Sequence, residues 1–358
     1  MTTRNIYKSI YVIFFVSIFF GGCSNPKSII DQFDDHSKLY ANKTVSLEKL
    51  YIKYPKIINL TDSSLILTSS AMGYSNTDYL IFIISKKNGE VIKTIGHEGR
   101  GPKEIMAINN ISFLGNEVLF YDAVSRKILH YNYIKDSVEV QFLKFKKKSF
   151  YRNFYLVNND KYLSSGLFDN NMYCLGDINK NTTKYYLEYP YLPNIIKSKQ
   201  KDLTLARSYA YMGQMIEHPN LSRFVYFTTS AGYIQIIELK DTIINEITHL
   251  NISPPKGKVV FRVDANVWGN DRNSSACFLD GTTSDKYIYL LYSGKSYDEG
   301  GFEKGKYVVI FDWEGNKIKV LELDREAYGI TLDKEDNELY AFTINTKTLK
   351  NEILRYQL

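Results

Sequence analysis

The feature that most constrains the fold is one theme that repeats along the chain. An apolar or aromatic strand is followed by a short polar turn and a second strand, and five such hairpins are visible. Asn-Gly, Gly-Asn and Lys-Asp at the turns are typical of β-hairpins. Long segments with helical periodicity are absent, and residues 192–215 are expected to be an irregular connection with one turn of helix. The pattern predicts an all-β fold with hairpin turns at residues 87–89, 125–126, 179–181, 240–241 and 314–316.

The two ends of the repeat region indicate how the strands are arranged. Residues 45–53 begin it as a strand with no partner before it, and residues 352–358 end it as a strand with no partner after it. A radial array of sheets can pair these two strands, which removes the open edge. We therefore predict a six-bladed β-propeller over residues 45–358. A β-sandwich, or two of them, is the alternative, although sandwiches rarely contain so many local hairpins.

The N-terminus is typical of an export signal. Arg4 and Lys8 precede an apolar run over residues 10–20, which is about half of the roughly 20 residues that a membrane-spanning helix needs. The run ends in Gly21-Gly22-Cys23, which resembles the lipobox of bacterial lipoproteins. We predict a signal peptide over 1–22, followed by a lipidated Cys23 and a tether over 23–44. An ordinary signal peptide with a chance cysteine is the alternative.

Lipidation would determine the location of the protein. Two or more acyl chains hold a protein durably on a bilayer. No acidic residue follows Cys23 before Asp31, and an Asp next to the cysteine is the signal that retains such lipoproteins at the inner membrane. The sequence therefore predicts a lipid anchor in the outer membrane, with the protein on its periplasmic face.

Composition limits the possible partners. Apolar residues make up 44% of the chain, which is enough for a globular core. The 45 basic and 39 acidic residues give a net charge of +6 and are well mixed, so the sequence predicts no nucleic-acid partner. Two lysine clusters, at 144–148 and 197–201, are expected to be solvated surfaces, and contact with anionic lipid headgroups is the alternative.

Two cysteines remain after Cys23. Export would permit a disulfide between Cys174 and Cys277. Both lie in apolar, strand-like stretches, so two buried free thiols are equally compatible with the sequence. Their spacing does not decide between the two possibilities.

One segment carries a family resemblance. Residues 96–104, GHEGRGPKE, resemble the connector of TolB-like six-bladed propeller lipoproteins. Weaker similarity is present at 206–211, 218–226, 290–295 and 353–356. Lys103 departs from the family pattern, in which Gly is common. The resemblance implies the propeller fold and brings no reaction with it, and because TolB docks partners at a periplasmic surface, it favours binding.

The same segment is the first candidate site. Its glycines can turn successive amides into one concavity that holds an anion, and Arg100 could clamp a carboxylate or phosphate beside His97. The competing interpretation is a tight crossover between blades that needs glycines for geometry alone, and we favour it.

A second group of candidates lies where inner strands of blades are expected to begin. These residues could line one mouth of the channel and bind an acidic or sugar ligand, although surface or inter-blade pairing is the simpler interpretation. The group consists of Arg152, Arg207, Tyr209 and Arg262.

No catalytic motif is apparent. The five histidines lack zinc-type spacing, and nucleophile-elbow, P-loop and dinucleotide patterns are absent. The sequence assigns no catalytic residue, metal or cofactor, and it predicts a monomer. The leading hypothesis is a lipid-anchored envelope propeller that binds or scaffolds a protein or glycan partner. The alternative is an envelope hydrolase or lyase with its active site at the channel mouth.

Overall fold

The structure is a computed structural model that describes residues 28–358, except for 48, 53–54, 70–76, 146–148, 181, 200–202 and 263–264. The predicted signal peptide and Cys23 lie outside the described residues. No helix in the described part of the chain is long and apolar enough to cross a membrane.

The chain is all-β and forms six blades. Before the first blade lie a 3₁₀ turn over Ile30–Gln32 and the strands β1 (His36–Leu39) and β2 (Lys43–Leu47). Blade 1 contains β3 (Lys56–Asn59), β4 (Ser64–Thr68), β5 (Tyr79–Ser85) and β6 (Val91–His97), and blade 2 contains β7 (Asn110–Leu114), β8 (Glu117–Asp122), β9 (Lys127–Asn132) and β10 (Ser137–Phe142). Blade 3 contains β11 (Phe150–Leu156), β12 (Lys161–Phe168), β13 (Asn171–Asp177) and β14 (Thr182–Glu188), and blade 4 contains β15 (Gly213–Glu217), β16 (Arg223–Thr228), β17 (Tyr233–Lys240) and β18 (Ile243–Asn251).

The last two blades follow a separate hairpin of β19 (Gly257–Phe261) and β20 (Asn266–Asn270). Blade 5 contains β21 (Phe278–Thr283), β22 (Tyr287–Tyr292), β23 (Gly305–Asp312) and β24 (Lys317–Ala327). Blade 6 combines β25 (Gly329–Leu332), β26 (Glu338–Ile344) and β27 (Asn351–Gln357) with β2 from the other end of the chain. All five predicted hairpins are present. The hairpin β19–β20 was not predicted.

Blade 6 contains strands from both ends of the folded region. β2 runs antiparallel to β27, and Val45 lies opposite Ile353. The N-terminal strand begins two residues earlier than the sequence indicated and ends at Leu47. The first hairpin turn packs closely on β2. A Cβ at Gly89 (φ +74°) would lie 2.7 Å from the Ser46 carbonyl oxygen. Only glycine fits this turn.

The described part of the predicted tether, from residue 28 to 44, is folded. β1 adds to blade 5 as a parallel edge strand beside β24. Ile29 and Phe33 are buried, and the Phe33 ring meets Phe311 edge-on at 5.4 Å. The prediction of a tether over 23–44 is thereby corrected for these residues, because burying their apolar side chains favours a docked segment over a solvated one.

The core is divided among the interfaces between blades. Buried apolar side chains form six clusters, one for each pair of neighbouring blades. Both faces of each sheet are therefore covered, and β4 is buried at all five positions. This explains why the strands read as continuous apolar runs.

The antiparallel order of the strands gives the propeller two distinct ends. Within a complete blade the fourth strand finishes at the end where the first strand starts, so the segments between blades gather at one end. We call this the connector end, and its segments are 48–55, 98–109, 143–149, 189–212, 252–277 and 328. At the opposite end, which we call the turn end, the inner strands β3, β7, β11, β15, β21 and β25 run into the turns 60–63, 115–116, 157–160, 218–222, 284–286 and 333–337.

Two connectors are long. The segment 189–212, which we call the insert, carries a 3₁₀ turn at Lys197–Lys199 and one short helix, α1 (Thr204–Ala210). This agrees with the irregular connection predicted over 192–215. The segment 252–277 carries the hairpin β19–β20, whose Trp268 belongs to the same buried cluster as Leu203, Ala206 and Ala210 of the insert.

The two remaining cysteines lie two blades apart. Cys174 is in β13 of blade 3, and Cys277 directly precedes β21 of blade 5. Both are buried free thiols.

Candidate functional site: a cavity on the propeller axis

A cavity of about 490 Å³ opens at the turn end of the axis. It lies where inner strands of five blades finish, and it extends into the turns that follow them. The inner-strand residues that line it are Ile57, Ile58, Asn59, Ile111, Phe113, Ile216, Glu217, Gly281, Thr282, Thr283, Ile330, Thr331 and Leu332.

A polar bridge crosses the channel on the connector side of this cavity. The Lys56 ammonium of blade 1 donates a hydrogen bond to the Gln214 side-chain oxygen of blade 4 and lies 3.7 Å from the Asp280 carboxylate of blade 5. Gln214 in turn donates to the Leu279 carbonyl oxygen at 2.7 Å. Because blades 1 and 4 face each other in a ring of six, the Lys56 side chain spans the axis and forms the floor of the cavity.

Asp280 joins this floor to the sixth blade. Its second carboxylate oxygen accepts a hydrogen bond from the Ile330 N–H at 3.0 Å. Burial raises the pKa of Asp280, and the Lys56 charge and the hydrogen bonds offset part of that rise. A buried carboxylate held by a cation and main-chain donors is a structural anchor.

Glu217 is the acidic group in the cavity wall. Its carboxylate accepts a hydrogen bond from the Phe113 N–H at 3.4 Å, and its main-chain carbonyl accepts one from the Thr283 hydroxyl at 2.5 Å. Burial raises the pKa of Glu217 to about 7, against the opposing effects of the hydrogen bonds and of Lys56. The wall therefore gains a negative charge as the pH rises through neutrality.

The rest of the wall is largely apolar. Ile58, Phe113 and Ile216 are half-buried and present hydrocarbon surface to the cavity. Asn59 donates its main-chain N–H to the Thr331 hydroxyl at 3.0 Å, while its buried side-chain oxygen has no hydrogen-bond donor among the described residues. The wall thus offers apolar contact together with one unused acceptor.

The rim of the cavity is acidic. The six turns that follow the inner strands carry six Asp and Glu against two Lys, although the whole chain has a net charge of +6. Asp285 is exposed, and Asp333 lines the rim while accepting hydrogen bonds from the main chain of its own turn. This charge arrangement attracts cations to the cavity mouth.

Comparison with known families identifies the fold. A family model described as TolB-like 6-blade propeller-like matches residues 33–335. The chain belongs to this family. The resemblance carried by residues 96–104 is therefore confirmed.

Solved structures of similar shape come from several sources. A Bacteroides fragilis protein described as exported superposes with a TM-score of 0.51 at 11% identity, covering 90% of this chain and 98% of that one, which shows the fold alone. The β-propeller domain of Swd1 from Myceliophteria thermophila gives a TM-score of 0.44 at 12% identity, covering 85% and 96%. The WD40 repeats of RRP9 give 0.44 at 8% identity, covering 88% and 99%. Comparison with curated proteins found no match.

The glycine-rich connector of this TolB-like propeller is filled by its own side chain. The Glu104 carboxylate accepts a hydrogen bond from the Gly101 N–H at 2.6 Å, and a Cβ at Gly99 would lie 2.1 Å from the same carboxylate. The concavity predicted to hold an anion therefore already contains one, and this agrees with the crossover interpretation.

His97 and Arg100 lie at the connector end. The His97 ring lies 3.9 Å from the Asp78 carboxylate and meets the Tyr79 ring edge-on at 5.4 Å. Arg100 is exposed. Neither residue lines the axial cavity.

The second predicted group also lies at the connector end of the TolB-like propeller. Arg207 is buried and pairs with the Glu188 carboxylate at 3.2 Å, while Tyr209 is 44% exposed on the same helix. Arg152 stacks on the Phe150 ring at 5.7 Å, and Arg262 is exposed after β19. The structure does not bring the four residues together around the axial cavity. Arg207 in the insert forms an ion pair with Glu188 of β14, and pairing of this kind was the simpler interpretation of the sequence.

The cavity residues Lys56, Glu217 and Asn59 were not predicted from the sequence. The one available signal was a charged or amide residue within a short apolar inner strand, such as Glu217 after Met215-Ile216. Among the described residues, no three His, Cys, Asp or Glu side chains lie close enough to share a metal ion.

Proposed function

We propose that this TolB-like propeller is a cell-envelope binding protein, anchored by lipid at Cys23, that receives a segment of a partner protein in its axial cavity. The observation that carries the proposal is an apolar cavity with an acidic rim at the turn end. Such a cavity suits a segment that places an apolar side chain among Ile58, Phe113 and Ile216 beside a Lys or Arg that meets the rim.

A glycan is the less favoured occupant. Sugars are held by many hydrogen-bonding groups, whereas the inner-strand part of this wall has six aliphatic side chains and one phenyl ring, and its Thr283 and Thr331 hydroxyls are already hydrogen-bonded within the wall. The unused Asn59 oxygen and the Glu217 carboxylate both accept hydrogen bonds, and the N–H groups of an extended peptide or of a cationic side chain supply the donors they need.

Two observations support a location in the envelope. The first residues have the charge, length and small residues of an export signal that ends at Cys23. The Bacteroides fragilis protein of similar fold is described as exported. We place the protein on the periplasmic face of the outer membrane, as a monomer held by its acyl chains.

Site-specific photo-crosslinking tests the proposal in cells. A photoreactive amino acid replaces exposed Asp285 on the cavity rim in the full chain. The matched control replaces Asp298, which is also exposed but lies in a loop at the connector end. A discrete adduct with one envelope protein is expected from position 285 and not from position 298.

The specificity of the adduct tests the site itself. Ile58→Arg places a cation inside the apolar wall and is expected to abolish the adduct at position 285, with the unfolding transition measured to show that the variant folds. An adduct that survives Ile58→Arg, or equal adducts from both positions, would overturn the axial cavity as the binding site.

One observation favours an enzyme as the second candidate. A carboxyl with a pKa of about 7, such as Glu217, suits general acid–base catalysis near neutral pH. If the cavity hydrolyses or eliminates a glycoside, Glu217→Gln abolishes turnover of envelope glycan fragments, and turnover that persists in this variant would exclude Glu217 as the catalytic acid or base.

A further inference from the structure

The connector end carries a strong positive charge. Among the described residues, its segments contain eleven Lys and Arg against three Asp and Glu, whereas the turns that follow the inner strands at the opposite end have an excess of four acidic residues. The two ends therefore carry net charges of opposite sign, although the chain as a whole has a charge of only +6. Such a separation orients a protein next to a charged surface.

Exposed apolar side chains project from the same end. Phe261 in the hairpin β19–β20 is 76% exposed, and Ile196 in the insert is 67% exposed. Tyr191, Tyr209 and Met212 of the insert are each more than 40% exposed. Large side chains exposed this fully, on two neighbouring segments, usually mark an interaction surface.

A groove lies between these two segments. Its volume is about 720 Å³, and its lining is mostly apolar, with Ile195 and Leu203 from the insert and Val259 from the hairpin. Lys199, Lys256 and Lys258 also line it. Lysines around apolar surface suit a boundary between hydrocarbon and anionic headgroups.

The N-terminal end of the described chain lies on the same side. Ser28 lies close to the side chain of Tyr292, the last residue of β22, which finishes at the connector end of blade 5. Ile29 packs in the cluster between blades 4 and 5, next to the hairpin segment. Five residue steps separate Ser28 from Cys23, and they reach at most about 18 Å.

We propose that the connector end of blades 3 to 5, formed by the insert and the hairpin β19–β20, lies directly on an anionic phospholipid bilayer. Phe261, Ile196 and Tyr191 enter the interface, and the lysines around the groove contact the headgroups. The turn end, with its acidic cavity, then faces away from the membrane.

The position of Ser28 favours a bilayer over an acidic protein as the occupant. An acyl anchor at Cys23 would hold the connector end within about 18 Å of the headgroups. The bilayer would therefore always be within reach of this surface. This step rests on the lipidation in the proposed function, whereas the charge and the exposed side chains do not depend on it.

Hydrogen exchange on the full chain tests the proposal. The protein is reconstituted into vesicles of phosphatidylcholine, with or without an equal part of phosphatidylglycerol, and is compared with the protein in detergent. Slower exchange is expected at 189–212 and 257–270 on the anionic vesicles, and no change is expected at 333–337. The mass of the N-terminal peptide reports acylation of Cys23 separately, so a failure of lipidation is distinguished from a failure of docking.

Charge reversal supplies the matched pair of variants. Lys199→Glu with Lys258→Glu changes two exposed lysines beside the groove, and Lys286→Glu with Lys334→Glu changes two at the turn end. Each lysine near an anionic surface strengthens attachment about fivefold. The first pair is therefore expected to lower the ratio of membrane-docked to undocked protein at least twenty-fold. The second pair is expected to leave this ratio unchanged. Unchanged exchange over β22 shows that each variant folds. The proposal would be overturned if anionic vesicles gave no protection from hydrogen exchange, or if neutral vesicles gave equal protection. It would also be overturned if the two pairs of variants lost this protection equally.

Discussion

The Lys56 side chain of blade 1 crosses the propeller axis and donates a hydrogen bond to the amide oxygen of Gln214 in blade 4. The same ammonium lies 3.7 Å from the Asp280 carboxylate of blade 5, whose other oxygen accepts from the Ile330 N–H of blade 6. Four inner strands are thereby joined at one level of the channel. The cavity at the turn end has its floor here because this bridge fills the axis.

Removing the cation should destabilise the fold. Lys56→Met leaves Asp280 as a buried carboxylate without its counter-ion, and we expect the free energy of unfolding to fall by about 3 kcal/mol. Urea denaturation followed by tyrosine and tryptophan fluorescence measures this change.

Two controls separate the bridge from a general effect of charge. Lys38→Met removes the cation of an exposed pair with Glu322 and is expected to leave stability unchanged, because solvent screens such pairs. Asp280→Asn added to Lys56→Met is expected to restore most of the loss. Equal effects of Lys56→Met and Lys38→Met would contradict a special role for the bridge.

The sequence carried local information well. Lys87-Asn88-Gly89 predicted a turn, and Gly89 does adopt a positive φ of 74° between β5 and β6. Such turns depend on two or three adjacent residues, so no knowledge of distant contacts was needed. The number of blades followed from the same local pattern together with the unpartnered strands at the two ends.

The axial site could not be predicted in this way. Lys56, Gln214 and Asp280 are far apart in the sequence, and only the closed ring brings them to one point. The parallel addition of β1 to β24 also depends on a surface that exists only after blade 5 has formed. Candidate residues chosen by charge and local context therefore fell at the connector end, away from the cavity.

Glu104 should be needed for the shape of the glycine-rich connector. Glu104→Ala removes the acceptor of the Gly101 N–H and is expected to lower the free energy of unfolding by about 1–2 kcal/mol. Thermal or urea unfolding measures the loss. Glu98→Ala removes an exposed carboxylate from the same connector and should change little, so equal losses in the two variants would argue against the filled concavity.

The two thiols should be unreactive in the folded protein. Cys174 and Cys277 lie in different blades, and burial raises the pKa of each, so little thiolate is present at neutral pH. Iodoacetamide is expected to modify neither cysteine under native conditions and both after unfolding in urea, as read by peptide mass spectrometry. A mass change of two hydrogens on reduction would reveal a disulfide and contradict this expectation.

Membrane attachment should depend on one sulfur atom. Cys23→Ser removes the acceptor of the predicted lipid, so the protein is expected to lose incorporation of an alkyne-labelled fatty acid and to leave the membrane fraction on washing with salt. Cys277→Ser should retain both properties, since its thiol is buried. Labelling that persists in Cys23→Ser would show that the lipidation site was misassigned.

Stability should fall as the pH rises towards neutrality, and Glu217 should be responsible. Burial raises its pKa to about 7 in the folded protein, while an exposed glutamic acid titrates near 4.3. Between these values the folded protein holds a proton that the unfolded chain has released, so raising the pH favours unfolding. The loss amounts to at most about 4 kcal/mol and is complete above the folded pKa.

Glu217→Gln isolates this contribution. The amide keeps an oxygen for the Phe113 N–H but does not titrate, so the free energy of unfolding of the variant, measured in urea from pH 4 to pH 8, should lack the decline of the wild type. Glu335→Gln, an exposed carboxyl at the same end of the propeller, should retain it. If the wild type and Glu217→Gln gave parallel pH profiles, the Glu217 side chain would have to lie in solvent, and the cavity wall would then carry a permanent negative charge at neutral pH.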